Sequence, residues 1–228
     1  MDKINLSNIT LISISGRDDE TDFINHLESL IYSQHKIEFG SVKILSPYFS
    51  EKIPKKIQYI KIPAITSINE YSNFMVKKLY DYVDTDFVMT IQNDGFIINP
   101  HLWKNEFLEY DYIGAPWRNI PHYSGVRVGN GGFSLRSKKF LSICKNYMPN
   151  INFNEDHLIC ITFRNLFLNH NIKYAPIDIA QYFSVENKTE YNNDINKSFG
   201  IHNNNNTYKK IKESDVFKNV IKLYSNQN

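Results

Sequence analysis

The stretch TDFVMTIQNDGFIINP, residues 85–100, passes without a break from an apolar run into three polar side chains and a glycine. Phe87, Val88, Met89, Thr90 and Ile91 have the length and composition of a buried β-strand. Gln92, Asn93, Asp94 and Gly95 follow directly. Asn-Asp-Gly is a common turn sequence. It also places a carboxylate just past the carboxyl end of a strand, where open α/β sheets bind ligands. A carboxylate there can ligate a divalent cation that holds a diphosphate. Gly95 lets a ligand approach the backbone closely. If the chain stays extended, Gln92 and Asp94 point to the same side.

Upstream, strand and helix patterns alternate. Residues 8–15 are rich in β-branched side chains and stop at Gly16. Phe23, Leu27, Leu30 and Ile31 recur at helical spacing, with Asp18 or Asp19 as the cap. Residues 41–46 and 58–62 read as two further strands. Ser67 and Glu70 have the spacing of a capping box, and Tyr71, Phe74, Met75, Leu79 and Tyr82 continue the helix it opens. This alternation predicts an α/β fold with a mixed, mainly parallel sheet flanked by helices.

The second half is less regular. Residues 110–117 end in an aromatic turn, and residues 125–132 form a glycine-rich loop. Ser137 caps a helix bearing Phe140, Leu141, Cys144 and Tyr147. Residues 155–168 predict one buried helix, residues 180–185 an extended piece, and residues 203–206 a polar linker. Ser214 opens a last helix with Val216, Val220 and Leu223 on its apolar side. The 228 residues suit one domain, with divisions at about residues 100 and 205 and a C-terminal helix over about 213–225.

Bulk properties exclude several classes. A net charge of +2 gives no electrostatic basis for nucleic-acid binding. No apolar run reaches the ~18 residues of a membrane helix, and residues 1–10 lack a signal-peptide core. Cys144 and Cys160 lie in apolar helical patterns, outside any CxxC pair, which predicts buried free thiols. A cytoplasmic setting is the expectation, with peripheral membrane association left open.

The pieces TDFVMTIQNDGFIINP, YDYIGAPW, VGNGGFSLRS, NEDHLIC, YFSVE and FGIH occur in that order along the chain. With them the chain resembles a family of short glycosyltransferases of the GT-A nucleotide-sugar-binding fold, often described only as a domain of unknown function. The resemblance implies a transfer of sugar from a nucleotide-diphosphate donor, a UDP-sugar, to a glycan or other hydroxyl acceptor, with a nucleotide-binding half over about 1–100 and an acceptor half over about 101–205.

It also implies roles. Asp94 stands at the last position of the family's acidic motif and becomes the ligand of Mn²⁺ or Mg²⁺. Gln92 departs from that motif, since an amide hydrogen-bonds but adds no charge to a cation site. Gln92 and Asn93 fall on the donor side, with Asn93 as a spacer. His202 in FGIH occupies the place of a second metal ligand. Gly131 and Gly132 resemble the segment lining the sugar cleft. Glu155 and Asp156 resemble an acidic pair beneath it, with Asp156 preferred as the catalytic base. Both also suit a helix N-terminus.

Four further residues are assigned by position or helical spacing. Ser15 and Arg17 end the first strand, where this fold holds the nucleotide. Lys78 lies in line with Phe74, Met75 and Tyr82, so it either faces a diphosphate or snorkels to water. Trp117 either stacks on an acceptor sugar or packs in the core. A non-catalytic nucleotide-sugar or carbohydrate-binding module of the same fold is the alternative, favoured by Gln92.

Overall fold

The computed structural model describes residues 3–118, 125–187, 189–191, 194–202 and 205–225. Four parallel strands form one wing of its main sheet. They are β1 (Ile4–Ile14), β2 (Ile37–Ser46), β3 (Gln58–Lys61) and β4 (Phe87–Ile91). Helices α1 (Glu20–Ser33) and α2 (Ile68–Lys77) connect them. Two later strands, β6 (Tyr112–Ile113) and β7 (Phe133–Ser137), extend the sheet on the other side of β4. The strand order is β3-β2-β1-β4-β7-β6, with β7 antiparallel to both of its neighbours.

The last six residues of β1 are all buried. A parallel strand covered by helices on both faces requires this, and its β-branched run supplies it. One core cluster packs Leu11, Phe23, Leu30 and Ile44 with Val220. The other packs Ile12, Met75, Leu79 and Val88 with Phe140 and Phe167 of α3 (Lys138–Tyr147) and α5 (Arg164–Asn169).

A second sheet has the order β5-β9-β8, from β5 (Gly95–Ile97), β9 (Gly200–His202) and β8 (Ser184–Val185). Its β5–β9 pair is antiparallel and sets Gly95 opposite His202. Residues far apart in sequence thereby meet at the end of β4.

Local signals fixed several boundaries. The Asp19 side chain caps α1 by accepting from the Asp22 amide, and Ser67 caps α2 by accepting from Glu70 at 3.2 Å. Glu70 turns back to the Thr66 amide at 2.6 Å, one residue earlier than a capping box predicts. Ser137 caps α3 at 3.0 Å as expected.

Other expectations fail for tertiary reasons. Residues 155–168 are not one helix. They divide into α4 (Glu155–His157), a wide turn over Leu158–Thr162 and α5, and the Phe163 amide donates to Leu158 O five residues back. Leu168 is exposed. Residues 180–185 are not extended throughout. Ile177–Phe183 is helix α6, which buries Ala180 and Phe183 at helical spacing, and only Ser184 and Val185 are strand.

The proposed linker at 203–206 lies partly outside the described residues, and helix α7 (Asn205–Glu213) already begins at 205. Helix α8 (Asp215–Ser225) buries Phe217, Val220 and Tyr224, whereas Val216 and Leu223 face solvent. Tyr147 is exposed as well. Cys144 and Cys160 are buried free thiols. Among the described residues, no helix is long and apolar enough to cross a membrane.

Candidate active site at the carboxyl end of the fourth strand

Residues 92–95 form a turn, closed by the Gly95 amide donating to Gln92 O at 3.0 Å. The turn and the ligand-site readings therefore describe one feature. The turn ends β4 and starts β5, and β5 pairs with β9. Gln92 and Asp94 both reach His202 as a result. His202 Nε2 lies 3.1 Å from Gln92 Oε1 and 3.3 Å from Asp94 Oδ1. On the far side of the ring, His202 Nδ1 lies 3.7 Å from Glu186 Oε1. Glu186 follows β8 at the end of YFSVE, but nothing in that motif marks it as a partner of a residue on β9.

Burial opposes charge on His202, but the two flanking carboxylates outweigh it and raise its pKa to about 9. Burial also works against the Asp94 carboxylate, yet His202 holds it below its ordinary value. Among the described residues, buried Asp94 Oδ1 and His202 Nδ1 find no partner in hydrogen-bond geometry.

Gly131 and Gly132 form the wall opposite. A Cβ on Gly132 would sit 2.0 Å from His202 Nε2, and one on Gly131 would sit 2.0 Å from Glu155 Oε1. The side chains of β9 and α4 thus fill the space that a side chain at either glycine would need. Asn130 holds this loop. It adopts φ 71°, in the left-handed region that Asn tolerates, and its side chain accepts from the Gly132 amide at 2.9 Å.

Glu155 and Asp156 differ in what they touch. Glu155 is buried in an ion pair with Arg136 at 2.9 Å, and Arg136 is also fully buried. Asp156 Oδ2 accepts from the Gly131 amide at 3.3 Å and faces a recess. Burial, then the neighbouring charge of Glu155, raises the Asp156 pKa to about 6. Arg136 sits inside VGNGGFSLRS, and its inward direction was hidden because β7 is buried along its whole length.

Two recesses flank this centre. One, of about 390 Å³, is lined by Arg17, Asp22, His26, Ser67, Tyr71 and Gln92, with Asn93 also on its wall. The other, of about 280 Å³, is lined by Trp117, Phe153, Asp156, His157 and Glu186. Arg17 is exposed at the first recess. Ser15 is buried behind it and donates to Asp22 Oδ2 at 2.7 Å. Trp117 combines both of its readings, since it packs in a core cluster and also lines the second recess.

Lys78 is not at the site. Helix α2 starts beside the first recess and runs back along the sheet, so its C-cap Lys78 lies at the far end and is exposed. Lys77 turns inward instead and donates to Met148 O. The periodicity pointed the wrong way because the regular helix stops at Lys77 and a tighter turn, Leu79–Tyr82, follows.

Fold comparison identifies the architecture as a GT-A-like glycosyltransferase fold. The galactosyltransferase LgtC, solved in complex with donor and acceptor sugar analogues, superposes with a TM-score of 0.55 at 12% identity, covering 94% of this chain and 95% of that one. An active-site mutant of LgtC gives 0.50 at 13% identity, over 85% of this chain and 86% of the other. At such identities the likeness concerns the fold. No curated protein matches the chain in sequence. The family model described as "Protein of unknown function (DUF5672)" matches residues 55–202, and the chain belongs to that family.

Proposed function

We propose that this chain is a metal-assisted glycosyltransferase that moves a sugar from a UDP-sugar to a hydroxyl of a glycan acceptor. The observation that carries this reading is the meeting of Gln92, Asp94 and His202 against two consecutive glycines, between two recesses. In this reading the chain is one catalytic domain, with residues up to about 100 serving the donor and later ones the acceptor. Its setting is cytoplasmic, in keeping with two buried free thiols.

Asp94 and His202 would hold Mn²⁺ or Mg²⁺. Asp94 Oδ1 has no hydrogen-bond partner among the described residues and fits a cation, and His202, protonated while it pairs with Asp94, would give up that proton to complete a mixed oxygen and imidazole donor set suited to Mn²⁺. Among the described residues no group of three potential ligands gathers, so oxygens of the donor diphosphate would complete the set. Bound there, the cation supplies Lewis-acid stabilisation of the departing diphosphate.

The chain's own groups account for the rest. Gln92 and Asn93 border the donor recess, and Arg17 at its rim meets phosphate. Glu186, 3.7 Å from His202 Nδ1, favours this ring orientation through its charge and leaves Nε2 toward Asp94. Trp117 and Phe153 offer aromatic surface to an acceptor sugar. In an inverting reaction Asp156 accepts the proton of the acceptor hydroxyl. The hydroxyl oxygen bonds to the anomeric carbon, and the bond from that carbon to the diphosphate breaks. Glu155 is unsuited to this task because Arg136 already occupies its carboxylate.

A thermal-shift panel of nucleotide sugars with and without Mn²⁺ tests the reading. Stabilisation by one donor that needs Mn²⁺ and disappears in Asp94→Ala supports it, and equal stabilisation in the variant removes the metal assignment. The second reading, a binding module without catalysis, draws on Gln92 at an otherwise acidic position. Nucleotide-sugar binding without transfer or donor hydrolysis under any metal would favour the module.

A further inference from the structure

The floor of the donor recess holds a polar arrangement that the catalytic reading does not use. Ser13 is fully buried and its hydroxyl makes two short contacts, to Ile91 O at 2.8 Å and to His26 Nδ1 at 2.7 Å. A hydroxyl has one hydrogen, and a carbonyl can only accept. Both contacts are satisfied only when Ser13 donates to Ile91 O and His26 Nδ1 donates to Ser13. The other ring nitrogen, Nε2, then carries a bare lone pair.

That nitrogen faces Asp22 Oδ2 at 3.9 Å, and both residues line the recess. Asp22 Oδ2 already accepts from Ser15. Two acceptors thus face each other across a gap with no proton to share. The imidazole does not relieve this by taking one up, because burial holds its pKa down at about 4. A hydrogen-bond donor from outside would satisfy both groups.

We infer that His26 and Asp22 are specificity-determining residues that read a hydrogen-bond donor on the nucleoside of the sugar donor. This deepens the glycosyltransferase reading and rests on it. An N–H or O–H suits the pair, whereas a phosphate, which presents only acceptors, is repelled. The nucleoside is therefore the part of the donor that enters here, with its phosphates directed toward Arg17 and Asp94. Two groups of a uridine nucleotide offer this chemistry, the imide N–H of the base and a ribose hydroxyl.

Binding of UDP, N3-methyl-UDP, 2′-deoxy-UDP and 3′-deoxy-UDP to the full chain in Mn²⁺ distinguishes them by calorimetry. Loss of a single neutral hydrogen bond weakens binding by about 2- to 10-fold. The expected result is such a loss for one analogue with the native chain. Weak N3-methyl-UDP assigns the pair to the base, and weak 2′-deoxy- or 3′-deoxy-UDP assigns it to the ribose. In His26→Leu, UDP weakens by a similar factor and the difference between UDP and that analogue disappears. The native chain by itself separates base from ribose, so a variant that folds poorly does not blunt the test. If UDP binds but all three analogues match it, or if His26→Leu and Asp22→Asn leave its affinity unchanged, the inference is overturned and the glycosyltransferase reading stands. If UDP does not bind the native chain at all, both fall.

Discussion

The two recesses beside His202 are built in opposite ways. The recess proposed for the donor comes from consecutive strand–helix units: the end of β1, the start of α1, the start of α2 and the end of β4. Each piece is a local structure, and both helices carry their own caps. The recess proposed for the acceptor comes from a broken helix, a loop near β8 and an aromatic turn far apart in sequence. Charge differs too. The donor recess keeps its histidine neutral, whereas the acceptor side gathers Glu155, Asp156 and Glu186 and needs buried Arg136 to offset one of them. Local units yield a recess with an uncharged imidazole on its floor, while long-range assembly brings like charges together and shifts a carboxylate toward neutrality.

The sharpest test concerns the acceptor side. Asp156→Asn is expected to lower transfer by about 10²- to 10⁴-fold with little change in donor binding. The native rate should rise with pH through about 6, because the base acts only after losing its proton. Steady-state rates across the range around that value would read both, and an unchanged profile in the variant would remove Asp156 as the base.

Stability separates the two sides next. Arg136→Met leaves Glu155 buried without a partner, and about 3–5 kcal/mol of destabilisation is expected by urea denaturation. Arg136→Met combined with Glu155→Met should recover much of that loss. If the double variant is as unstable as the single one, packing rather than charge accounts for the effect.

On the donor side, His26 has a folded pKa below its unfolded value of 6.5. Its contribution is fully present above pH 6.5 and is lost as pH falls toward about 4. The shift corresponds to at most about 3 kcal/mol. His26→Gln should flatten this part of the stability–pH curve, and an unaltered slope would show that other groups cause it.

At the junction, Gly132→Ala forces a Cβ against His202 and should destabilise the fold by about 1–3 kcal/mol. It should also reduce Mn²⁺-dependent nucleotide binding more than Gly125→Ala, where a Cβ meets open space and the only strain is that of the local φ of 78°. Smallest is Ser67→Ala, which removes the cap of α2 and is expected to lower stability by about 1 kcal/mol in thermal unfolding.

These contrasts track how far the chain is legible in one dimension. Strands β1 to β4, the caps Asp19, Ser67 and Ser137, and the position of Asp94 past β4 all follow from neighbours within a few residues. Apolar periodicity and capping are local energies, so they show in the sequence itself. The helix at 155–168, the strand at 180–185 and the inward face given to Lys78 failed where packing overrode periodicity. The sequence by itself determined an α/β chain with a carboxylate at the mouth of its sheet. Only the tertiary structure decided that Glu186 backs His202, that Arg136 claims Glu155 and that His26 faces Asp22. The first two pairings join separate elements of the chain. The third joins neighbours on one helix, but its chemistry depends on Ser13 and Ile91 O from two strands.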